Sequence, residues 1–218
     1  MSLLISNQYL LKFENKSFKS GDHEYSSIFQ EDSLSYIKEA EKIRTDINSG
    51  KNFFESGGAY KFSFLYPRII YFFNKIVNNN QIMVNDNTIE LKNYRLFIFF
   101  QISIFFVSLV FLYKVISKIL EKRLSLIIIS VLFLNPIIFQ WHLAFLTESL
   151  FLSVLIFSIC FLLESKKFFH FFFLGILIGV LYSLRTLALL YPLILIIYLL
   201  FQKKNITHRI FNILSLIF

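Results

Sequence analysis

The stretch LAFLTESLFLSVLIFSICFLL, running from Leu143 to Leu163, decides how this chain folds. Crossing a bilayer takes about 20 mostly apolar residues, and this run has the length and carries one charge, Glu148. A carboxylate within such a run costs roughly 2.5–3.5 kcal/mol on insertion scales, so it marks a functional position by default. Counted from the start of the run, Glu148 falls about one and a half turns inside the helix. Trp141, just ahead of it, suits the aromatic belt at a membrane face.

Outward from this run the same pattern repeats. Apolar runs extend from Leu96 to Tyr113, Leu124 to Phe139, Phe168 to Leu184 and Thr186 to Phe201, and a further one begins at Ile210 and is cut off at Phe218. They predict five transmembrane helices and part of a sixth. The composition agrees: 56% hydrophobic, 29 Phe and a mean hydropathy of +0.62 belong to an integral membrane protein. Acidic residues divide the chain in two, because of 14 in all only Glu121, Glu148 and Glu164 lie beyond Arg95. Residues 1–95 are therefore read as a polar head and 96–218 as the transmembrane bundle.

The net charge of +8 is not a nucleic-acid signature, since the basic residues of the apolar part cluster in alternate loops. Lys114, Lys118, Lys122 and Arg123 follow the first helix, Lys166 and Lys167 the third, and Lys203, Lys204 and Arg209 the fifth. By the positive-inside rule these loops are cytoplasmic, which puts the head, Gln140-Trp141-His142 and Arg185 on the periplasmic or lumenal face. A bacterial inner membrane is favoured over the endoplasmic reticulum. A head on the far side requires an export signal, and Met1 to Leu11 does not supply one, so a further helix is expected ahead of the chain; the alternative is a cytoplasmic head. Cys160 is the single cysteine and lies in an apolar run, so no intrachain disulfide forms.

Within the head, Leu34, Ile37, Ala40, Ile43 and Ile47 recur at helical spacing, with Asp32-Ser33 placed to cap and Asn48-Ser49-Gly50 to stop, predicting a helix over 34–48. Tyr66-Pro67-Arg68 opens a second amphipathic helix over 67–77, too short to span and suited to lying in the outer interface. The Asn-rich segment from Asn78 to Asn93 reads as loop. No internal repeat, metal-ligand cluster, phosphate-binding glycine loop or nucleophile elbow stands out.

Four features in fixed order carry a resemblance. Glu31-Asp32-Ser33-Leu34-Ser35-Tyr36-Ile37-Lys38-Glu39-Ala40 comes first, then Leu65-Tyr66-Pro67, then Asn135-Pro136 ahead of Leu146-Thr147-Glu148-Ser149-Leu150, and last Gly175, Gly179 and Arg185. Over roughly residues 25–200 the chain resembles the N-terminal half of GT-C fold glycosyltransferases, the polytopic enzymes related to dolichyl-phosphate-mannose protein mannosyltransferases and lipid A aminoarabinose transferases. The resemblance implies an all-α polytopic bundle with amphipathic juxtamembrane helices in the first outer loop. It also implies inverting transfer of a sugar from a polyprenyl-phosphate donor to an acceptor hydroxyl of a protein, lipid or glycan. Asp32, Tyr36 and Ala40 match the acidic residue, Tyr and Ala of the family's first outer loop, and Glu148 matches its second acidic position. The family's first transmembrane helix and C-terminal half have no counterpart here.

An acceptor hydroxyl attacks faster when a carboxylate takes its proton, an effect of about 10²–10⁴-fold, and Asp32 is the candidate base. Asp22 and Glu24 are alternative acids, and Asp32 has a second reading as a helix cap. The phosphate leaves as a stable anion, so a cation is more useful than a strong acid. Arg185 and Arg68 are the candidates for it, each with a second reading as an interfacial anchor. Tyr36 and His142 are candidate substrate-binding residues; Glu148 has an alternative reading as a packing partner of His142 or Arg185. No soluble cofactor is required; the family admits a divalent metal, and the sequence offers no ligand cluster for one. The rival readings are a secondary transporter, with Glu148 and Arg185 on an ion path, and a non-catalytic membrane assembly protein.

Overall fold

A computed structural model describes residues 17–20, 23–26, 31–57, 63–77, 82–85, 88–91, 94–144, 146–164, 168–185, 188 and 190–192. In chain order these form β1 (Ser17–Ser20), β2 (His23–Ser26), α1 (Glu31–Asn48), α2 (Leu65–Ile76), β3 (Ile82–Asn85), β4 (Thr88–Leu91), α3 (Tyr94–Ile116), α4 (Lys122–Leu134), α5 (Pro136–Leu143), α6 (Thr147–Glu164) and α7 (Phe168–Leu184). Helices dominate. Two antiparallel hairpins depart from the all-α expectation, β1 with β2 in the register Ser17↔Ser26 to Ser20↔His23, and β3 with β4 from Ile82↔Leu91 to Asn85↔Thr88. The second hairpin corrects the reading of 78–93 as loop. Its strands carry Ile82, Val84, Ile89 and Leu91, and the intervening Asp86-Asn87 is turn-forming in sequence.

The chain divides into two compact units, Met1–Ile102 with Pro136–Glu148, and Ser103–Asn135 with Ser149–Phe218. In the first, α1 buries Ser33, Tyr36, Ile37, Ala40 and Ile43, one stripe at spacings of three and four, and packs on α2. The helix starts at Glu31, three residues before the expected 34. Asp32 is consequently an exposed first-turn residue rather than the N-cap, where a negative charge still complements the helix dipole. At the other end Gly50 takes φ 95°, the left-handed conformation that lets the chain leave α1.

The 51–57 segment is held back against α1 from two sides. The Asp46 carboxylate accepts from Lys51 Nζ at 2.8 Å and from the Gly57 amide at 2.8 Å. Both contacts hold its pKa below the usual carboxylate range, the Lys51 contact most. Gly57, at φ 86°, lies so close to α1 that a Cβ would meet Glu39 Oε1 at 2.7 Å and Ile43 Cγ1 at 2.9 Å. From the α2 side the buried Arg68 guanidinium donates to the carbonyls of Phe64 (2.8 Å), Phe54 (3.2 Å) and Ser56 (2.8 Å), with its Cζ 3.6 Å from the centroid of the Phe64 ring.

Helix α2 spans Leu65–Ile76, where 67–77 was expected. The Ser63 hydroxyl accepts from the Tyr66 amide at 3.2 Å, and Pro67 sits in the first turn, where an amide is not needed. Tyr66 and Ile70 are buried, whereas Phe72 and Ile76 on another face are exposed.

The apolar runs follow. Arg95–Ile116 and Thr147–Glu164 are each long and apolar enough to cross a membrane. The run read as one helix from Leu124 to Phe139 is broken: α4 and α5 meet at a 53° bend, and they make a third crossing only if the pair counts as one span. Pro136 causes the break, because its ring excludes the helical conformation at Asn135, which is extended at φ −63°, ψ 117°. The fourth run forms the helix α7 over the expected residues, but it is a shorter apolar helix than Arg95–Ile116 and Thr147–Glu164, so among the described residues two or three crossings stand where the sequence predicted more. The fifth run, apart from 188 and 190–192, and the run from Ile210 lie outside the described residues, as does Asp22.

In the second unit Phe111 stacks on Phe161 and Phe161 on Phe173, bringing α3, α6 and α7 together, with Leu174 fully buried beside Phe161, Leu162, Ile178 and Tyr191. Hydroxyls inside these helices bond their own preceding turn, Ser153 to the Ser149 carbonyl at 2.9 Å and Ser183 to that of Gly179 at 2.8 Å, which satisfies them in an apolar setting. Lys118, just past α3, pairs with Glu164 at the end of α6.

Candidate functional site

Three helices, α1, α2 and α3, meet through aromatic rings in the first unit. Tyr36 on α1 packs edge-on against Tyr66 on α2, with ring centroids 5.0 Å apart. Tyr66 continues onto Phe97 of α3 at 6.0 Å, and Phe97 onto Phe73 of α2 at 5.2 Å. This aromatic group seats α1 and α2 on the head end of α3, and Tyr66 is fully buried within it.

Gln101 is the polar residue at its centre. It is fully buried on α3, and its Nε2 donates to the Tyr66 hydroxyl at 3.2 Å and to the Leu146 carbonyl at 3.3 Å. Leu146 is the last residue before α6, so one amide ties α2, α3 and the entrance of α6 together. Burial raises the Tyr66 pKa well above the usual phenol value, the Gln101 hydrogen bond acts the other way, and the charges of Tyr36 and then Glu148 add to the rise. Tyr66 is therefore a neutral hydroxyl at physiological pH, and the Glu148 carboxylate is near enough for its charge to bear on it.

Glu148 itself is the second residue of α6, in its first turn, not one and a half turns within a span. The difference arises because Leu143 ends α5 and Leu146 belongs to the connection, so the start of the apolar run is not the start of the helix. In this position the carboxylate is half-buried, Thr147 Oγ1 donates to its Oε2 at 3.2 Å, and the positive end of the α6 dipole favours its charge. The cost of a carboxylate at a bilayer centre does not apply in full at a helix start of this kind.

The other sequence candidates fall as follows. Asp32 is exposed one helical turn before Tyr36, hence on the same side of α1. His142 is buried in the last turn of α5, in the same unit as Glu148. Arg68 is buried with its guanidinium spread over three carbonyls, which accounts for it as a staple of the 51–57 segment. Burial presses its pKa down and the nearby Glu39 charge opposes this; an arginine stays charged all the same. Arg185 follows α7 in the second unit, its amide bonded to the Leu181 carbonyl at 2.9 Å. Among the described residues no group of three or more His, Cys, Asp or Glu is placed to hold a metal ion.

Sequence reasoning passed over Tyr66 as a side chain and Gln101 altogether. The signal for Gln101 was present: it is the one amide in the apolar run from Leu96 to Tyr113, and polar residues in such runs face protein rather than lipid. No protein-family model, curated protein or solved structure matches this chain.

Proposed function

We propose that this chain is part of a membrane glycosyltransferase of GT-C type, moving a sugar from a polyprenyl-phosphate donor to an acceptor hydroxyl at the periplasmic or lumenal face. The observation that carries the reading is the grouping of Tyr36, Tyr66, Gln101 and Glu148 in one unit at the start of an apolar helix, with Asp32 one turn from Tyr36 on the same side of α1. A carboxylate at the rim of a membrane helix, beside neutral hydroxyl and amide groups, suits a substrate that is a lipid at one end and a polyol at the other.

In the proposed reaction the acceptor oxygen attacks the anomeric carbon, the carbon–oxygen bond to phosphate breaks with its electron pair, and polyprenyl phosphate leaves as an anion. The acceptor proton passes to Asp32, and inversion follows from the single displacement. Glu148 accepts hydrogen bonds from sugar or acceptor hydroxyls and orients them. The exposed Phe72 and Ile76 of α2 and its basic Lys75 suit a helix lying in the outer interface, beside which a lipid-linked donor would enter. The full topology proposed is multi-pass, with Lys114, Lys118, Lys122 and Arg123 at the cytoplasmic face of a bacterial inner membrane.

The test is transfer from radiolabelled polyprenyl-phosphate sugars in vesicles holding the full protein. Turnover that falls 10²-fold or more in both Asp32→Asn and Glu148→Gln is the expected result. Absence of turnover with every donor, or unchanged rates in both variants, rejects the enzyme in favour of a transporter or an assembly protein.

A further inference from the structure

Gln101 is a fully buried polar side chain that belongs to this grouping but takes no step in the chemistry above. Its amide orientation is not arbitrary. The Leu146 carbonyl can only accept, so the group 3.3 Å from it must be the Nε2 donor, and turning the amide over would set two oxygens against each other. With Nε2 so placed, the Tyr66 hydroxyl at 3.2 Å accepts from Gln101, and its own hydrogen is left to donate elsewhere. Gln101 Oε1 is buried and has no hydrogen-bond partner, so the side chain is not held by satisfying its own acceptor; what it holds is the pair of groups at its donor end.

One of those groups lies on α2 and the other in the connection just ahead of α6, and both adjoin the proposed chemistry. Leu146 is two residues ahead of Glu148, and Tyr66 is the ring against which Tyr36 packs, itself one turn from Asp32. We infer that Gln101 is a positioning residue, whose amide ties the Tyr66 hydroxyl to the entrance of α6 and so sets the Glu148 carboxylate and the Tyr36 side of α1 in register for one substrate. A fully buried amide in an apolar helix is costly unless its bonds are made, and two bonds from one nitrogen to two different elements give a geometric constraint that an apolar side chain of equal size lacks. The role rests on the glycosyltransferase reading, while the geometry beneath it can be tested apart from any turnover.

The experiment places 3-fluorotyrosine at position 66 of the full chain in lipid nanodiscs and reads its ¹⁹F resonance. Gln101→Leu and Glu148→Gln are each expected to displace that resonance, with the double variant differing from the sum of the two, while Ser108→Ala, another buried polar position on α3, leaves it in place. Gln101→Met serves equally should the leucine variant not fold. Amide exchange across residues 146–150 is expected to quicken in either Gln101 variant. Once a donor is known, Gln101→Leu lowers kcat about tenfold at unchanged KM, the loss of roughly one hydrogen bond's worth of alignment. A ¹⁹F resonance that ignores Gln101, or exchange that stays at the wild-type rate, overturns the inference even where sugar transfer is found. A displaced resonance with no transfer from any donor keeps the tie between Tyr66 and α6 and removes the glycosyltransferase reading instead.

Discussion

Glu148 shows how one residue's chemistry depends on where its helix begins. As the second residue of α6 its charge is supported by the helix dipole and by the Thr147 hydroxyl, so Glu148→Gln is expected to cost little stability, within about 1 kcal/mol, while abolishing turnover. A thermal melt in detergent beside the transfer assay checks both. Arg68 is the reverse case, a residue whose part is structural. Arg68→Leu leaves three carbonyls without their donor and is expected to destabilise the head by about 2–4 kcal/mol, seen as protease cutting within 51–57. Gly57→Ala is expected to produce the same cutting, since a Cβ there would strike Glu39 and Ile43 at a left-handed φ.

At the scale of elements, the join of α1 to the 51–57 segment carries a pH dependence. The Asp46 pKa is held down in the folded protein by Lys51 and the Gly57 amide, below an unfolded value of about 3.9. Its contribution is therefore fully present above that value and is lost as pH falls through the lower folded pKa. The Gly57 amide is expected to lose its protection from exchange as acid is added below about pH 4, and Asp46→Asn to remove that dependence; a Gly57 amide equally protected in the variant at both pH values would contradict it. The break between α4 and α5 belongs to this scale too. Asn135-Pro136 is legible in sequence as a helix interruption, yet hydropathy alone reads straight across it, because apolar side chains continue on both sides of a kink. The β3–β4 hairpin was missed for a related reason: a polar, Asn-rich composition hides the short apolar Ile82-Met83-Val84 run and the Thr88-Ile89-Glu90-Leu91 alternation on either side of Asp86-Asn87.

For the molecule as a whole, sidedness is the property on which the proposed function stands. With Cys160→Ala as background, Asn52→Cys in the head and Lys122→Cys at the start of α4 are both at exposed positions. Ser56 is unsuitable as a head reporter because it is buried and its hydroxyl bonds the Phe53 carbonyl. Labelling of Asn52→Cys but not Lys122→Cys by an impermeant thiol reagent from outside is expected; the opposite pattern places the head in the cytoplasm and removes an outer-face enzyme. What the sequence determined by itself was the helix over the Leu34–Ile47 pattern and the run of apolar helices after Arg95, since both depend on composition and period, which are local; the two compact units do not follow the expected boundary at 95, because Pro136–Glu148 belongs with Met1–Ile102. It also marked Glu148, because a lone carboxylate in an apolar run is conspicuous wherever the run folds. Only tertiary structure decided that the helix carrying Glu148 starts one residue before it, that Arg68 turns inward to backbone carbonyls, and that Gln101 joins Tyr66 to Leu146 across 35 and 45 residues of chain. The Gln101 contacts in particular depend on which surfaces meet, and no short window of sequence contains both partners.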